Sequence, residues 1–409
     1  MLPKRNNEAA EMLRQAQHDP VYLATRMQPT PLPTKPHYPI LDGLRGVAAL
    51  MVVAFHLCEA HATSHLDQVI NHGYLAVDFF FLLSGFVIGY AYDDRWGRLT
   101  VGGFFKRRLV RLQPMVVLGM VIGAAMYYFQ ASALFPIIGQ TPVWKMLLVM
   151  LIGCFMVPVP VSLDVRGWHE TFPLNGPGWS LFFEYVAKVL YATVVRRFSN
   201  VALGILVVLA AGALLHLGLT SPQGDVIGGW SLEPEQLHIG FARMTYPFFA
   251  GLLLFRLARL RPVPHAFWWC SLAVVAVLAM PRVGSPTQLW QNGLYDALCI
   301  ILVFPAIIFF GASGAVRSGV GQRLCRFLGD ISYPIYITHY PLIYTYTAWV
   351  ATHKVSLREG LPVAALVYLA AVALAYGCLK FYDEPVREWL KKKVLSEKPN
   401  CHTVKDSIE

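Results

Sequence analysis

Arg45 and His56 stand in the stretch LDGLRGVAALMVVAFHLCEAH (residues 41–61), separated by ten uncharged residues. A histidine inside an apolar run is a base held away from water. A neutral imidazole beside a carboxylate can take the proton of a hydroxyl, while the carboxylate fixes the tautomer and stabilises the imidazolium. Other ionisable residues interrupt apolar runs elsewhere: Glu59, Asp78, Glu184, Lys188, Arg243, Asp296 and His339. In hydrocarbon such groups are costly, so each either pairs with another to hold a bundle together or serves a function. The residue types alone leave two function classes open. One is a membrane enzyme with a histidine base; the other is a proton-coupled transporter with a His/Glu relay.

Composition dictates what must position these groups. Of 409 residues, 56% are hydrophobic and only 14% charged, where a soluble protein carries about 25% charged residues. Apolar segments recur near residues 44–63, 74–92, 113–130, 145–157, 178–195, 200–217, 240–258, 265–281, 294–311, 329–350 and 360–380. The expected fold is all-α, a polytopic integral membrane bundle. A spanning helix needs about 20 residues, and residues 145–157 fall well short. That segment is expected to be re-entrant or interfacial, which leaves ten transmembrane helices.

Charge placement sets the orientation. With ten spans and both termini in the cytoplasm, 27 of the 34 Lys and Arg residues fall inside, five fall outside, and Lys188 and Arg243 lie within spans. This is a strong positive-inside bias. It accounts for the net charge of +10 as topology and removes the case for nucleic acid as a partner. At a rise of about 1.5 Å per residue, His56 lies about 16 Å from the inner edge, His339 about 15 Å from it, and Glu184 about 8 Å below the outer one. Asp78 falls near the outer end of its span.

The seven cysteines show no CxxC spacing and no histidine at zinc-ligand spacing, so neither a disulfide framework nor a metal site is expected. Residues 1–28 are polar and do not read as a signal peptide. Five prolines between residues 29 and 39 read as an extended lead. The expected organisation is a cytoplasmic N-terminal extension (1–40), a membrane domain (41–385) and a basic cytoplasmic tail (386–409) at the membrane surface, with no second soluble domain.

Five stretches taken together resemble the membrane acyltransferase-3 family, whose members acylate sugars, lipids and secondary metabolites. LDGLRG with Arg45, ten residues and His56 is similar to the family's Arg-x10-His element. VDFFFLLSGFVI (77–88) follows. RRLVRLQP (107–114) matches RxxR with Arg108 and Arg111. GPGWSLFFEYVAKVLY (176–191) resembles WSLxxExxFY, and GDISYPIYITHYPL (329–342) resembles SYxxYxxHxPL. Glu384-Pro385 after the last span also fits.

The resemblance implies a bacterial inner-membrane enzyme that moves an acyl group, most often acetyl, from cytoplasmic acyl-CoA to a hydroxyl. The acceptor is a carbohydrate, a glycolipid or a secondary metabolite. It implies His56 as the catalytic base, joined by Glu184, Asp78 and His339. Arg108 and Arg111, with Arg45, would hold the CoA phosphates, for which guanidinium forks are suited. Ser84, Gly85, Trp179, Ser180, Tyr333 and Tyr336 would line the pocket. No metal is needed. The chain departs from the family pattern at Gly178, Val186 and Lys188, which bears on acceptor choice more than on the chemistry. Neither an HxxxxD element nor a P-loop occurs, so the reactions of those motifs are not expected.

Overall fold

The computed structural model describes residue 35 and residues 37–316 and 319–395. Most of the expected N-terminal extension and the end of the basic tail lie outside these residues. Among the described residues the regular structure is helical and no strand forms; one isolated bridge joins Val263 to Gly314.

Twelve helices carry the architecture: α1 (Pro39–Glu59), α2 (Ala76–Tyr92), α3 (Val101–Met126), α4 (Val143–Cys154), α5 (Gly178–Thr193), α6 (Asn200–Thr220), α7 (Pro234–Leu257), α8 (Ala266–Ala279), α9 (Trp290–Ser313), α10 (Val320–Thr338), α11 (Tyr340–His353) and α12 (Leu357–Cys378). Side-chain caps open three of them, Thr100 at α3, Ser199 at α6 and Ser356 at α12. Pro39 opens α1, where its missing N–H costs nothing. Ser356 and Glu359 close a capping box on α12.

Six helical stretches are long and apolar enough to cross a membrane: Pro39–Glu59, Gly73–Tyr92, Val101–Gln130, Asn200–Thr220, Trp290–Ser313 and Leu357–Leu395. The expected ten are therefore not all matched by single long apolar helices. At 12 residues α4 spans roughly 18 Å, and α8 with 14 residues is also short. The 16-residue α5 carries Glu184 and Lys188. The last stretch runs helically through π turns to Leu395, so the expected boundary at 385 falls inside a helix.

One expected span is not a single continuous helix. Residues 329–350, read as a single span, are two helices meeting at His339. Pro341 has no N–H to give the carbonyl four residues back, so the α-helical ladder stops there.

Two close crossings fix the centre. A Cβ on Gly46 would lie 2.3 Å from the Leu328 carbonyl oxygen, so α1 runs directly against α10. Gly85 and Gly251 make a reciprocal approach of α2 and α7: a Cβ on Gly85 would sit 1.8 Å from Phe248 O, and one on Gly251 2.0 Å from Leu82 O. Any side chain there would force backbones apart.

Candidate active site

His56 sits in the last turn of α1. Its Nδ1 lies 2.6 Å from Glu59 Oε2, three residues on. A carboxylate only accepts, so Nδ1 carries the proton and Nε2 keeps its lone pair. Helical i, i+3 spacing alone brings the two together. Glu59 was recognisable in the sequence as a polar residue in an apolar run. The i, i+3 spacing that pairs it with His56 is itself visible in the sequence.

The α10–α11 break faces this pair. The His339 ring stacks on His56 with centroids 5.7 Å apart, and the Tyr340 ring meets His56 edge-on at 4.9 Å. His339 is fully buried. Its Nδ1 donates to the carbonyls of Ile335 and Tyr336 at 2.9 and 3.0 Å, so Nε2 is a lone pair, and it has no partner among the described residues.

From there a row of polar side chains descends along α5. Tyr336 and Ser180 share a 2.6 Å hydrogen bond, and the Ser180 hydroxyl also reaches Pro177 O at 3.0 Å. Ser180, Glu184 and Lys188 recur every fourth residue on one face, about 12 Å long. Ser84 of α2 donates to Glu184 Oε1 at 2.7 Å, and Lys188 Nζ pairs with the same oxygen at 2.7 Å. Tyr333 of α10 donates to Leu112 O at 2.8 Å.

Cations gather at the foot of this row. Arg108 is buried, lies 5.2 Å over the Tyr92 ring, and its Nε has no hydrogen-bond partner among the described residues. It acts electrostatically on Glu184 and Lys188. Arg111 is exposed, with Arg108, Arg45 and Arg387 in electrostatic range. Arg45 pairs with Asp42 and donates from Nε to Ser332 Oγ at 3.0 Å, tying α1 to α10. A surplus of guanidinium at one mouth suits a phosphate-bearing ligand.

The remaining expected residues fall elsewhere. Asp78 is fully buried and binds Arg243 with both oxygens, at 3.2 and 2.6 Å. Arg243 also donates to Tyr74 O and lies 5.4 Å from the Trp179 ring. Asp78 and Trp179 therefore belong to one ion-paired cluster joining α2, α5 and α7, within electrostatic range of Tyr336. Gly85 touches the α7 backbone. These pairings join residues some 165 apart in the chain, and nothing in the sequence indicated them.

In the loop between α4 and α5, Glu170 is buried beneath Tyr344, whose hydroxyl donates to its carboxylate at 2.6 Å. Burial raises its carboxyl to about 7. Arg166 lies 3.7 Å away and stacks 3.4 Å over the Tyr344 ring. Tyr344 in turn packs on Tyr340 at 4.5 Å, so this loop cluster backs the wall of the His56 site. Among the described residues no group of three or more His, Cys, Asp or Glu side chains is arranged to hold a metal ion.

Over 164 residues the chain is 36% identical to "Protein 2 in picA locus" of Rhizobium radiobacter, covering 37% of this chain and 80% of that one. Peptidoglycan O-acetyltransferase OatA of Listeria monocytogenes is 23% identical over 381 residues, 87% of this chain and 56% of the Listeria protein. The chain thus spans little more than half of that relative. Acyltransferase MdmB of Streptomyces mycarofaciens is 24% identical over 326 residues, 75% of this chain and 79% of its own. No solved structure matches. The family model for the acyltransferase-3 type, described as an acyltransferase domain, takes in residues 38–380 and with them every helix of the site; the chain belongs to the membrane acyltransferase-3 family.

Proposed function

We propose that the protein is a membrane O-acyltransferase that moves an acyl group, acetyl in the first instance, from cytoplasmic acyl-CoA to a hydroxyl of a carbohydrate, glycolipid or related metabolite. The observation that carries this is the His56–Glu59 pair: an imidazole held by a carboxylate at 2.6 Å with its other nitrogen open. The names of the Listeria and Streptomyces relatives concern acyl transfer, and the transporter reading is set aside.

In this reading the CoA phosphates rest among Arg108, Arg111 and Arg45, and the pantetheine arm follows the Ser180–Glu184–Lys188 face toward His56. Glu184 Oε2 accepts from an amide N–H of that arm. The acceptor hydroxyl gives its proton to His56 Nε2 as its oxygen attacks the thioester carbonyl. Glu59 stabilises the imidazolium. The C–S bond then breaks, the ester forms, and the departing thiolate takes the proton back from His56. Asp78 acts at one remove, pinning α2 to α7 through Arg243. Ten membrane crossings, both termini in the cytoplasm and a bacterial inner-membrane location complete the proposal, supported by the positive-inside bias of the sequence.

The test is transfer of label from acetyl-CoA by membranes containing the protein, with products identified by mass spectrometry of surface glycans and lipids. Transfer that is lost in His56→Ala is expected. Full transfer by that variant removes His56 as the base.

A further inference from the structure

A proline inside a helix leaves one carbonyl without its backbone donor, and in a buried setting that carbonyl needs another. Two such carbonyls occur here with identifiable partners. In α9, Pro305 leaves Ile301 O free, and the Tyr246 hydroxyl donates to it at 2.9 Å. At the α10–α11 break, Pro341 leaves Ile337 O free. Asn175, from the segment that leads into α5, donates to it from Nδ2 at 2.8 Å.

The surroundings of the second bond argue for a dedicated role. Asn175 is buried. Its Oδ1 has no partner among the described residues, so the position uses only the amide's donor end, at the expense of a buried acceptor. Helix α3 presses on the junction through Gly119: a Cβ there would lie 2.4 Å from Ile337 Cγ2 and 2.7 Å from Asn175 Nδ2. The backbone of Asn175 is itself fixed, its N–H donating to Phe172 O at 2.9 Å and its carbonyl accepting from the Gly178 N–H at 2.9 Å. Two residues past the bonded carbonyl stands His339, and beside it Tyr340, the two rings that face His56.

We infer that Asn175 is a positioning residue: its side-chain N–H stands in for the backbone donor that Pro341 lacks, holds α10 and α11 broken at His339, and so sets His339 and Tyr340 against His56. The consequence for transfer rests on the acyltransferase reading above. The hydrogen-bond substitution itself does not.

Thermal unfolding of the full chain in detergent tests it, using Asn175→Ala and the near-isosteric Asn175→Asp, each alone and with Pro341→Ala. In the native background each Asn175 variant is expected to lower the midpoint by roughly 2–4 °C. With Pro341→Ala, residue 341 regains an N–H for Ile337 O, and Asn175→Ala then shifts the midpoint little. Equal shifts in both backgrounds, or an Asn175→Asp variant as stable as the native chain, overturn the inference. If Asn175→Ala alone does not fold, recovery in the Pro341→Ala background supports it and failure there overturns it. Acetyl transfer is expected to fall about tenfold in Asn175→Asp while CoA still protects the protein equally well. Unchanged transfer overturns the positioning role. Absence of transfer from the native protein counts against the acyltransferase reading alone, since the midpoint coupling still decides the role of Asn175.

Discussion

His56 and His339 stack with ring centroids 5.7 Å apart and planes 28° apart, yet they are held by different chemistry. His339 Nδ1 donates to two backbone carbonyls, while His56 Nδ1 faces the Glu59 carboxylate. Either partner fixes a tautomer. Only a carboxylate also offsets the charge an imidazole gains when it takes a proton. In the proposed reaction, proton transfer would fall to His56, and His339 offers the lone pair of its Nε2 beside it.

The variants of this pair should rank accordingly. His56→Ala is expected to lower acetyl transfer on the order of 10²–10⁴-fold, the usual contribution of a positioned base. Glu59→Gln keeps the shape but loses the charge, and is expected to cost about tenfold in turnover with little change in donor KM. Turnover and KM measured with labelled acetyl-CoA decide it. A Glu59→Gln variant with native turnover would show that the carboxylate is not part of the machinery.

Asp78 and Arg243 are both almost wholly buried and bonded to each other. Removing one partner strands a charge, which typically costs about 3–5 kcal/mol, whereas replacing both removes the imbalance. Asp78→Asn is therefore expected to destabilise the protein by about that amount, and Asp78→Asn with Arg243→Met by clearly less. Denaturation of the four chains in detergent gives the coupling. Additive losses would mean that the ion pair is not what stabilises the contact of α2 with α7.

How much of this was legible in the sequence depends on distance along the chain. The membrane class followed from composition. Arg45, His56 and Glu59 lie on one helix, so their spacing is nearly their geometry. Ser180, Glu184 and Lys188 likewise share a face by period alone. Partners on different helices were not legible, because one sequence does not say which helices are neighbours: Asp78 with Arg243, Ser84 with Glu184 and Tyr336 with Ser180 are all of this kind. The break at His339 was legible in principle, since Pro341 stood in view inside the presumed span; apolar length outweighed it. The ten-span count rested on charge asymmetry, and six helices meet the length and apolarity that crossing demands.

Glu170 gives stability a pH dependence. Burial holds its folded-state carboxyl near 7 against an ordinary 4.5, so the native chain prefers it protonated. That stabilising contribution is fully present below about pH 4.5 and is lost as pH rises through about 7. The difference corresponds to about 3 kcal/mol at most. Midpoints measured from pH 5 to 8 should fall more steeply with rising pH in the native chain than in Glu170→Gln, which cannot ionise. Parallel profiles would mean that Arg166, 3.7 Å away, keeps the carboxylate charged throughout.

The two arginines of α3 separate binding from chemistry. Arg108 is buried with its Nε unpartnered, and Arg111 stands exposed beside it. If both meet donor phosphates at the cytoplasmic mouth, they bind the ground state and the transition state alike, and their loss should raise the donor KM while leaving turnover nearly intact. Arg108→Ala is expected to raise the KM for acetyl-CoA by about tenfold, and Arg111→Ala by less, because an exposed guanidinium is screened by water and salt. The Arg111→Ala effect should shrink further as ionic strength rises. Arg45→Ala should differ from both: it also breaks the bond to Ser332 that ties α1 to α10, so turnover falls along with donor affinity. A native KM in Arg108→Ala would leave that arginine as topology alone, part of the positive charge that favours the inner side for this end of α3.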